Sequence, residues 1–165
     1  MSKVIFPGSF DPIHLGHVDI TRRAANLFDE VVIAVYDKPL KSLLFSTRER
    51  IAMVKEATKD IPNITILGYN GLTVQFAKEV GASAIVRGLR VFSDFEYEFR
   101  MAMANKRLEP GIETIAFVTD EKNTFLSSST VKEITSLGGD VSTMVPLNVL
   151  KALRKKYQLT GSVEA

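Results

Sequence analysis

The sequence predicts an α/β fold: one Rossmann-like domain built on a five-stranded parallel sheet with helices on both faces. Three observations carry this. Five short apolar runs alternate with segments of helical apolar spacing, the pattern of strand–helix–strand units. The run from Glu30 to Tyr36 is apolar without alternation, as a parallel strand covered on both faces requires. The segments rich in glycine, hydroxyls and cations follow the runs instead of scattering. In an open parallel sheet, such segments share the edge at which ligands bind.

Taken in order, Val4–Phe6 is the first predicted strand, and Gly16-His17 opens a helix to Phe28 with Ile20, Ala24, Leu27 and Phe28 on one face. Glu30–Tyr36 is the second strand. A loop from Asp37 to Phe45 carries Lys38, Pro39 and Lys41. Ser46-Thr47-Arg48-Glu49 is a capping box, so a helix runs from Thr47 to Thr58. Asn63–Leu67 is the third strand. The helix after Gly71-Leu72 stops at Gly81. Ala84–Val86 is the fourth strand, ending in Arg87-Gly88-Leu89-Arg90. A helix rich in methionine, alanine and aromatics spans Asp94 to Arg107, with Met101-Ala102-Met103 expected in the core or at a subunit contact. Glu113–Val118 is the fifth strand. Asn123 to Ser129 is a polar loop, and Thr130 to Glu133 caps a helix that Gly138-Gly139 ends. Pro146 suits the first turn of a last helix reaching Tyr157. Residues 1–157 form one domain and 158–165 a loose tail.

Composition narrows the chemistry. With no cysteine, thiolate nucleophiles, disulfides and cysteine-bound zinc are excluded together. There is no long apolar tract, and no basic start followed by an apolar stretch, so a cytoplasmic protein without membrane contact is expected. A net charge of +2 does not ask for nucleic acid. Lys151, Arg154, Lys155 and Lys156 suit a solvated helix C-terminus.

The polar segments after the first, second, fourth and fifth strands are expected to converge on one crevice. They offer cations, hydroxyls, histidine and exposed N–H groups. No Ser-His-Asp arrangement or facing pair of carboxylates is evident. Neither a Gly-x4-Gly-Lys-Ser/Thr loop nor a Gly-x-Gly-x-x-Gly turn follows the first strand. A site that binds and neutralises phosphate fits, and phosphate-group transfer needs such positioning and charge stabilisation. Val4 to His17 supplies its anchor: strand, glycine-containing loop and helix N-terminus. By themselves several of these residues keep two readings. His17 is a phosphate donor or a helix cap, and His14 with His17 is half of a metal site lacking a third ligand. Asp11 is a magnesium ligand or a turn residue, with turn-forming use the stronger reading.

Gly8-Ser9-Phe10-Asp11-Pro12 followed by His14-x-Gly16-His17 resembles the (Thr/His)-x-Gly-His signature of the nucleotidyltransferase superfamily. Arg87-Gly-Leu-Arg90, Asp94-Phe-Glu-Tyr-Glu98 and Phe125-Leu-Ser-Ser-Ser-Thr-Val-Lys-Glu133 resemble its bacterial phosphopantetheine adenylyltransferase branch. The resemblance runs from Lys3 to about Tyr157. His14 stands where this branch often has threonine.

The resemblance implies adenylyl transfer from ATP to 4′-phosphopantetheine with magnesium (Mg2+), giving dephospho-coenzyme A and pyrophosphate, the penultimate step of coenzyme A synthesis. Attack is direct and in line, without a covalent intermediate. His17 is then the transition-state stabiliser, with Lys41 and Arg90 as the other catalytic groups. ATP would be bound by Ser9, Phe10, His17, Gly88, Leu89, Arg90, Glu98, Asn123, Thr124, Phe125, Leu126, Ser127, Ser128 and Ser129. Ser9, Lys41, Thr73 and Arg87 would bind 4′-phosphopantetheine. A homohexamer inhibited by coenzyme A is implied too, and the metal ligands stay unassigned. Two other readings remain: a nicotinate or nicotinamide mononucleotide adenylyltransferase, which shares the first motif, and a non-catalytic nucleotide-binding regulator.

Overall fold

The computed structural model describes residues 1–38 and 42–159. Lys41 and the tail from residue 160 onward lie outside the described residues. Five strands, β1 (Lys3–Gly8), β2 (Glu30–Tyr36), β3 (Ile64–Tyr69), β4 (Ala84–Leu89) and β5 (Glu113–Val118), form one sheet in the order β3-β2-β1-β4-β5. Every pairing is parallel, with Val4 opposite both Val31 and Ala84. The helices are α1 (Leu15–Ala25), α2 (Thr47–Ala57), α3 (Thr73–Glu79), α4 (Phe92–Leu108), α5 (Ser128–Ser136) and α6 (Leu147–Lys156).

The two sheet faces are covered unequally. Val4, Phe6, Val31, Ile33, Val35, Ala84 and Val86 point to one face, where Ile20 and Ala24 of α1, Met53 and Val54 of α2, Val131 of α5 and Val149, Leu150 and Leu153 of α6 cover them. Ile5, Val32 and Ile85 point the other way, onto Val74 and Ala77 of α3 and Ile112. The period of two along each strand makes both sets from the same apolar runs. Strand order reverses between β1 and β4, so the connections leaving these neighbours part and leave a crevice at their C-terminal ends.

Where local chemistry is decisive, the element bounds follow it. The Ser46 hydroxyl accepts from the Glu49 N–H at 3.2 Å, and the Glu49 carboxylate accepts from the Ser46 N–H at 2.7 Å. This closes the expected capping box of α2. Gly81 (φ +72°) and Gly138 (φ +79°) follow α3 and α5 in the left-handed conformation that ends helices.

Four expectations need correction. α1 ends at Ala25, and Leu27 beyond it is 68% exposed, because the chain turns toward β2 before Leu27 could reach the core. Arg87, Gly88 and Leu89 are not loop residues: they extend β4 by pairing with Ala116, Phe117 and Val118. α5 begins at Ser128, not Thr130, because Ser127 is its N-cap and accepts from the Thr130 N–H at 3.0 Å. Of the two places expected for Met101 to Met103, core or subunit contact, the core does not hold: Met101 and Met103 are exposed on α4.

Candidate active site

β1 stops at Gly8, and the chain crosses the mouth of the β1/β4 split before α1 starts. His14 is the N-cap of α1, in extended backbone conformation. Its Nδ1 accepts from the Gly16 N–H at 3.1 Å, while the His14 N–H donates to Nδ1 of His17 at 3.1 Å. The two rings stack with centroids 3.7 Å apart, and the Phe10 ring meets His17 edge-on at 4.9 Å. An imidazole nitrogen that accepts a backbone N–H cannot itself carry a proton. The bond therefore assigns the proton of neutral His17 to Nε2. His14 is 5% exposed, and burial, aided by the Arg90 charge, lowers its pKa to about 3. It is a neutral cap and a stacking partner.

Two arginines stand beyond this loop. Arg87, two residues after Ile85, shares its side of β4. Its Nε and Nη2 donate to the two Glu98 oxygens at 2.8 and 2.7 Å, and Nη1 donates to the Pro7 carbonyl at 3.1 Å. Burial opposes the Arg87 charge, but the Glu98 carboxylate outweighs it and raises the pKa above the ordinary arginine value. Arg90 donates through Nε and its main-chain N–H to one Asp94 oxygen, both at 3.1 Å, and through Nη1 to the Leu126 carbonyl. Burial works to raise the Asp94 pKa, and the Arg90 bonds bring it below the usual carboxylate value. Asp94 and Glu98 are one helical turn apart on α4, so a single helix aims both arginines.

The far wall comes from the α5 entry. Ser128 Oγ donates to the Pro12 carbonyl at 2.8 Å, tying this wall to the first loop. Ser127, Ser128 and Ser129 present the N-terminus of α5, and Asn123 closes a short 3-10 turn beside Gly16. Gly88 packs closely: a methyl there would lie 2.5 Å from Cδ1 of Ile20, whose side-chain end would have to move. The resulting crevice has a volume of about 510 Å³.

Of the residues singled out from sequence, the crevice brings together Ser9, Phe10, His17, Thr73, Arg87, Gly88, Arg90, Glu98, Asn123, Ser127, Ser128 and Ser129. Leu89, Thr124, Phe125 and Leu126 do not line it; Leu126 is buried, and its carbonyl serves Arg90. Thr73 shares a hydrogen bond of 3.0 Å with the Tyr69 hydroxyl. Met101 and Ala102 also line the crevice, as does Asn105 one turn on.

Sequence reasoning gave no role to Arg50, Asp94 or Tyr69. Asp94 carried a signal in its spacing of four from Arg90. Arg50 carried none that separates it from the neighbouring Arg48. Asp11 is wholly buried, accepts from the Leu44 and Phe45 N–H groups at 2.9 Å, and pairs with Lys132 at 2.9 Å. Its carboxylate is used in the fold, as the turn-forming reading had it. Asp94 and Glu98 are occupied by arginine, and the described residues contain no cluster of three or more His, Cys, Asp or Glu side chains suited to a metal. The donors present do not fit a protein-held magnesium ion.

Residues 5–134 match the cytidylyltransferase-like family model. A phosphopantetheine adenylyltransferase from Caldanaerobacter subterraneus subsp. tengcongensis is 52% identical over 158 residues, covering 96% of this chain and 99% of its own. A protein of the same name from a Roseiflexus species is 50% identical over 157 residues, covering 95% and 98%. The crystal structure of a Vibrio parahaemolyticus protein, provisionally named a nicotinate-nucleotide adenylyltransferase, superposes with a TM-score of 0.70. At 21% identity over 93% of this chain and 99% of its own, it shares the fold.

Proposed function

The chain belongs to the cytidylyltransferase-like family, among the phosphopantetheine adenylyltransferases, and from that membership we propose how its crevice works. The enzyme transfers the adenylyl group of ATP to 4′-phosphopantetheine, releasing pyrophosphate and forming dephospho-coenzyme A. A phosphate oxygen of 4′-phosphopantetheine attacks the α-phosphorus in line as the bond to the pyrophosphate oxygen breaks. No protein nucleophile takes part.

One observation carries this reading: His17 is locked at the start of α1 with Nδ1 filled by a backbone N–H, in a crevice shared with two pre-aimed arginines. Nε2–H donates to a non-bridging α-phosphate oxygen, where charge builds in the transition state. Arg87 receives the acceptor phosphate, exchanging part of its Glu98 pairing for it. Arg90, with the N–H groups and hydroxyls of Ser127 to Ser129, holds the β- and γ-phosphates. Ser9 lines the same crevice and is assigned to both substrates. Lys41, which follows β2 in the chain and lies outside the described residues, is assigned to the attacking phosphate from that sequence position and the family resemblance.

Magnesium would come in with ATP as its counter-ion, since the described residues contain no cluster of three or more His, Cys, Asp or Glu side chains to hold it. Coenzyme A contains both the pantetheine and the adenylate ends, so it competes for both halves of the site. Phe95, Tyr97, Phe99, Met101, Met103 and Leu108 leave α4 with an exposed apolar surface, which supports burial against other copies in a homohexamer. No helix among the described residues is long and apolar enough to cross a membrane, in keeping with work in the cytoplasm.

The test is pyrophosphate release from ATP with each acceptor in turn. Turnover with 4′-phosphopantetheine and none with nicotinate or nicotinamide mononucleotide is expected. The reverse pattern would overturn the assignment, and ATP binding without pyrophosphate release for any acceptor would leave only a nucleotide-binding role.

A further inference from the structure

Arg50 is the largest wholly buried side chain among the described residues, yet it lies outside the crevice lining. Its guanidinium makes five hydrogen bonds from three nitrogens. Nε donates to the Phe45 carbonyl at 3.2 Å. Nη1 donates to the carbonyls of Ser9 at 2.6 Å and Tyr36 at 2.8 Å. Nη2 donates to the Asp37 carbonyl at 3.3 Å and the Thr47 hydroxyl at 2.9 Å. Four of the five acceptors are main-chain carbonyls. Such a buried cation is costly, and a surface-pairing role does not explain it.

The carbonyls belong to three separate stretches: the loop after β1, the end of β2, and the residue before the α2 cap. Asp11 completes the arrangement. Its carboxylate takes the Phe45 N–H while Arg50 takes the Phe45 carbonyl. Ser9, Arg50, Phe45 and Asp11 thus make a closed circuit that returns to the same loop it left.

The decisive bond is the one to Ser9. In a trans peptide the C=O and the following N–H point in opposite directions. Arg50 draws the Ser9 carbonyl to the buried side of the loop. The N–H of the same peptide unit, that of Phe10, is thereby turned to the other side. Phe10 is held in the left-handed region at φ +48°, which a phenylalanine adopts only when its surroundings impose it. Its own ring is fully buried against Phe6 and His17, so its contribution to the crevice is main chain.

We propose that Arg50 is a positioning residue for the transfer reaction: it fixes the Ser9–Phe10 peptide so that the Phe10 N–H faces the crevice as a donor to nucleotide phosphate. This rests on the functional reading given above.

Arg50→Lys tests it, because a point ammonium cannot span carbonyls from three stretches as a planar fork does. The control is Val54→Ala, a buried change on α2 that costs stability without touching Ser9. Steady-state kinetics, ATP affinity by calorimetry and Tm are measured for both, at a temperature where both are folded. Arg50→Lys should lower kcat/KM for ATP by about tenfold to a hundredfold, the scale of an ångström-level misplacement. Val54→Ala should stay within about twofold of wild type at a comparable fall in Tm. If Arg50→Lys does not fold, Thr47→Val removes one partner of Nη2 and should give a smaller loss in kcat/KM.

Wild-type kinetics in folded Arg50→Lys, or in Thr47→Val where that replaces it, or equal losses in Arg50→Lys and Val54→Ala, would overturn the positioning role. Absence of pyrophosphate release from wild type would instead sink the functional reading. ATP affinity would then decide for Arg50, weakened binding in Arg50→Lys supporting the role and unchanged binding refuting it.

Discussion

His17 and His14 share a helix start and have divided two tasks between them. His14 spends its acceptor on the Gly16 N–H and stays neutral, and His17 spends its Nδ1 on the His14 N–H, which leaves its proton on Nε2. For His17→Ala, kcat should drop by roughly 10²–10³, as for loss of an oxyanion donor, with a much smaller change in ATP affinity. Equal losses in both would make His17 a ground-state binder. His14 has a second consequence, in acid. Its pKa of about 3 in the fold lies below its ordinary 6.5, so the unfolded chain binds a proton that the folded chain refuses. The stability it confers is complete above pH 6.5 and is lost as the pH falls toward 3, up to about 4–5 kcal/mol. Denaturant unfolding of His14→Asn at several pH values should show a flatter acid limb than wild type; parallel limbs would refute the assignment. The motif pointed to His17 from sequence, because its residues are contiguous. Arg50 was illegible, because its acceptors are carbonyls that any residue type supplies and only the fold gathers.

At the scale of elements, β2 and β5 match their predicted bounds residue for residue. Both are continuous runs ended by charged or polar residues. β4 was legible only as far as Val86, since Arg87 and Gly88 carry no strand pattern and their pairing with β5 is a tertiary fact. That extension gives Arg87 a rigid base. A side chain on a strand, with its guanidinium gripped by α4, is better fixed than one on a loop. Arg87→Ala should therefore raise KM for 4′-phosphopantetheine by at least about tenfold, the loss of one charge-assisted bidentate contact. KM for ATP should move far less. A defect confined to ATP would reassign the residue. Four of the expected nucleotide contacts, Leu89 and Thr124 to Leu126, fall outside the crevice lining, because β4 and the turn before α5 direct their side chains elsewhere.

For the whole molecule, the exposed apolar surface of α4 predicts assembly. Sedimentation should give a mass near six times 18.3 kDa, and Met103→Glu should shift it toward smaller species. A wild-type monomer would contradict the expectation. Parallel topology was readable at this scale because alternation of runs and helices leaves few alternatives. The strand order followed from no single motif. It also has a kinetic side. Val4 pairs with Ala84, so the two halves of the crevice are joined by a contact eighty positions apart in the chain. Such pairing is slow to form, because the intervening loop must close before any contact rewards it. His17 can form its local cap early in refolding, but Arg87 and Arg90 reach it only when β4 docks. Recovery of ATP binding should thus trail recovery of helical signal, and ligand present during refolding should trap the docked state and leave its rate of formation unchanged.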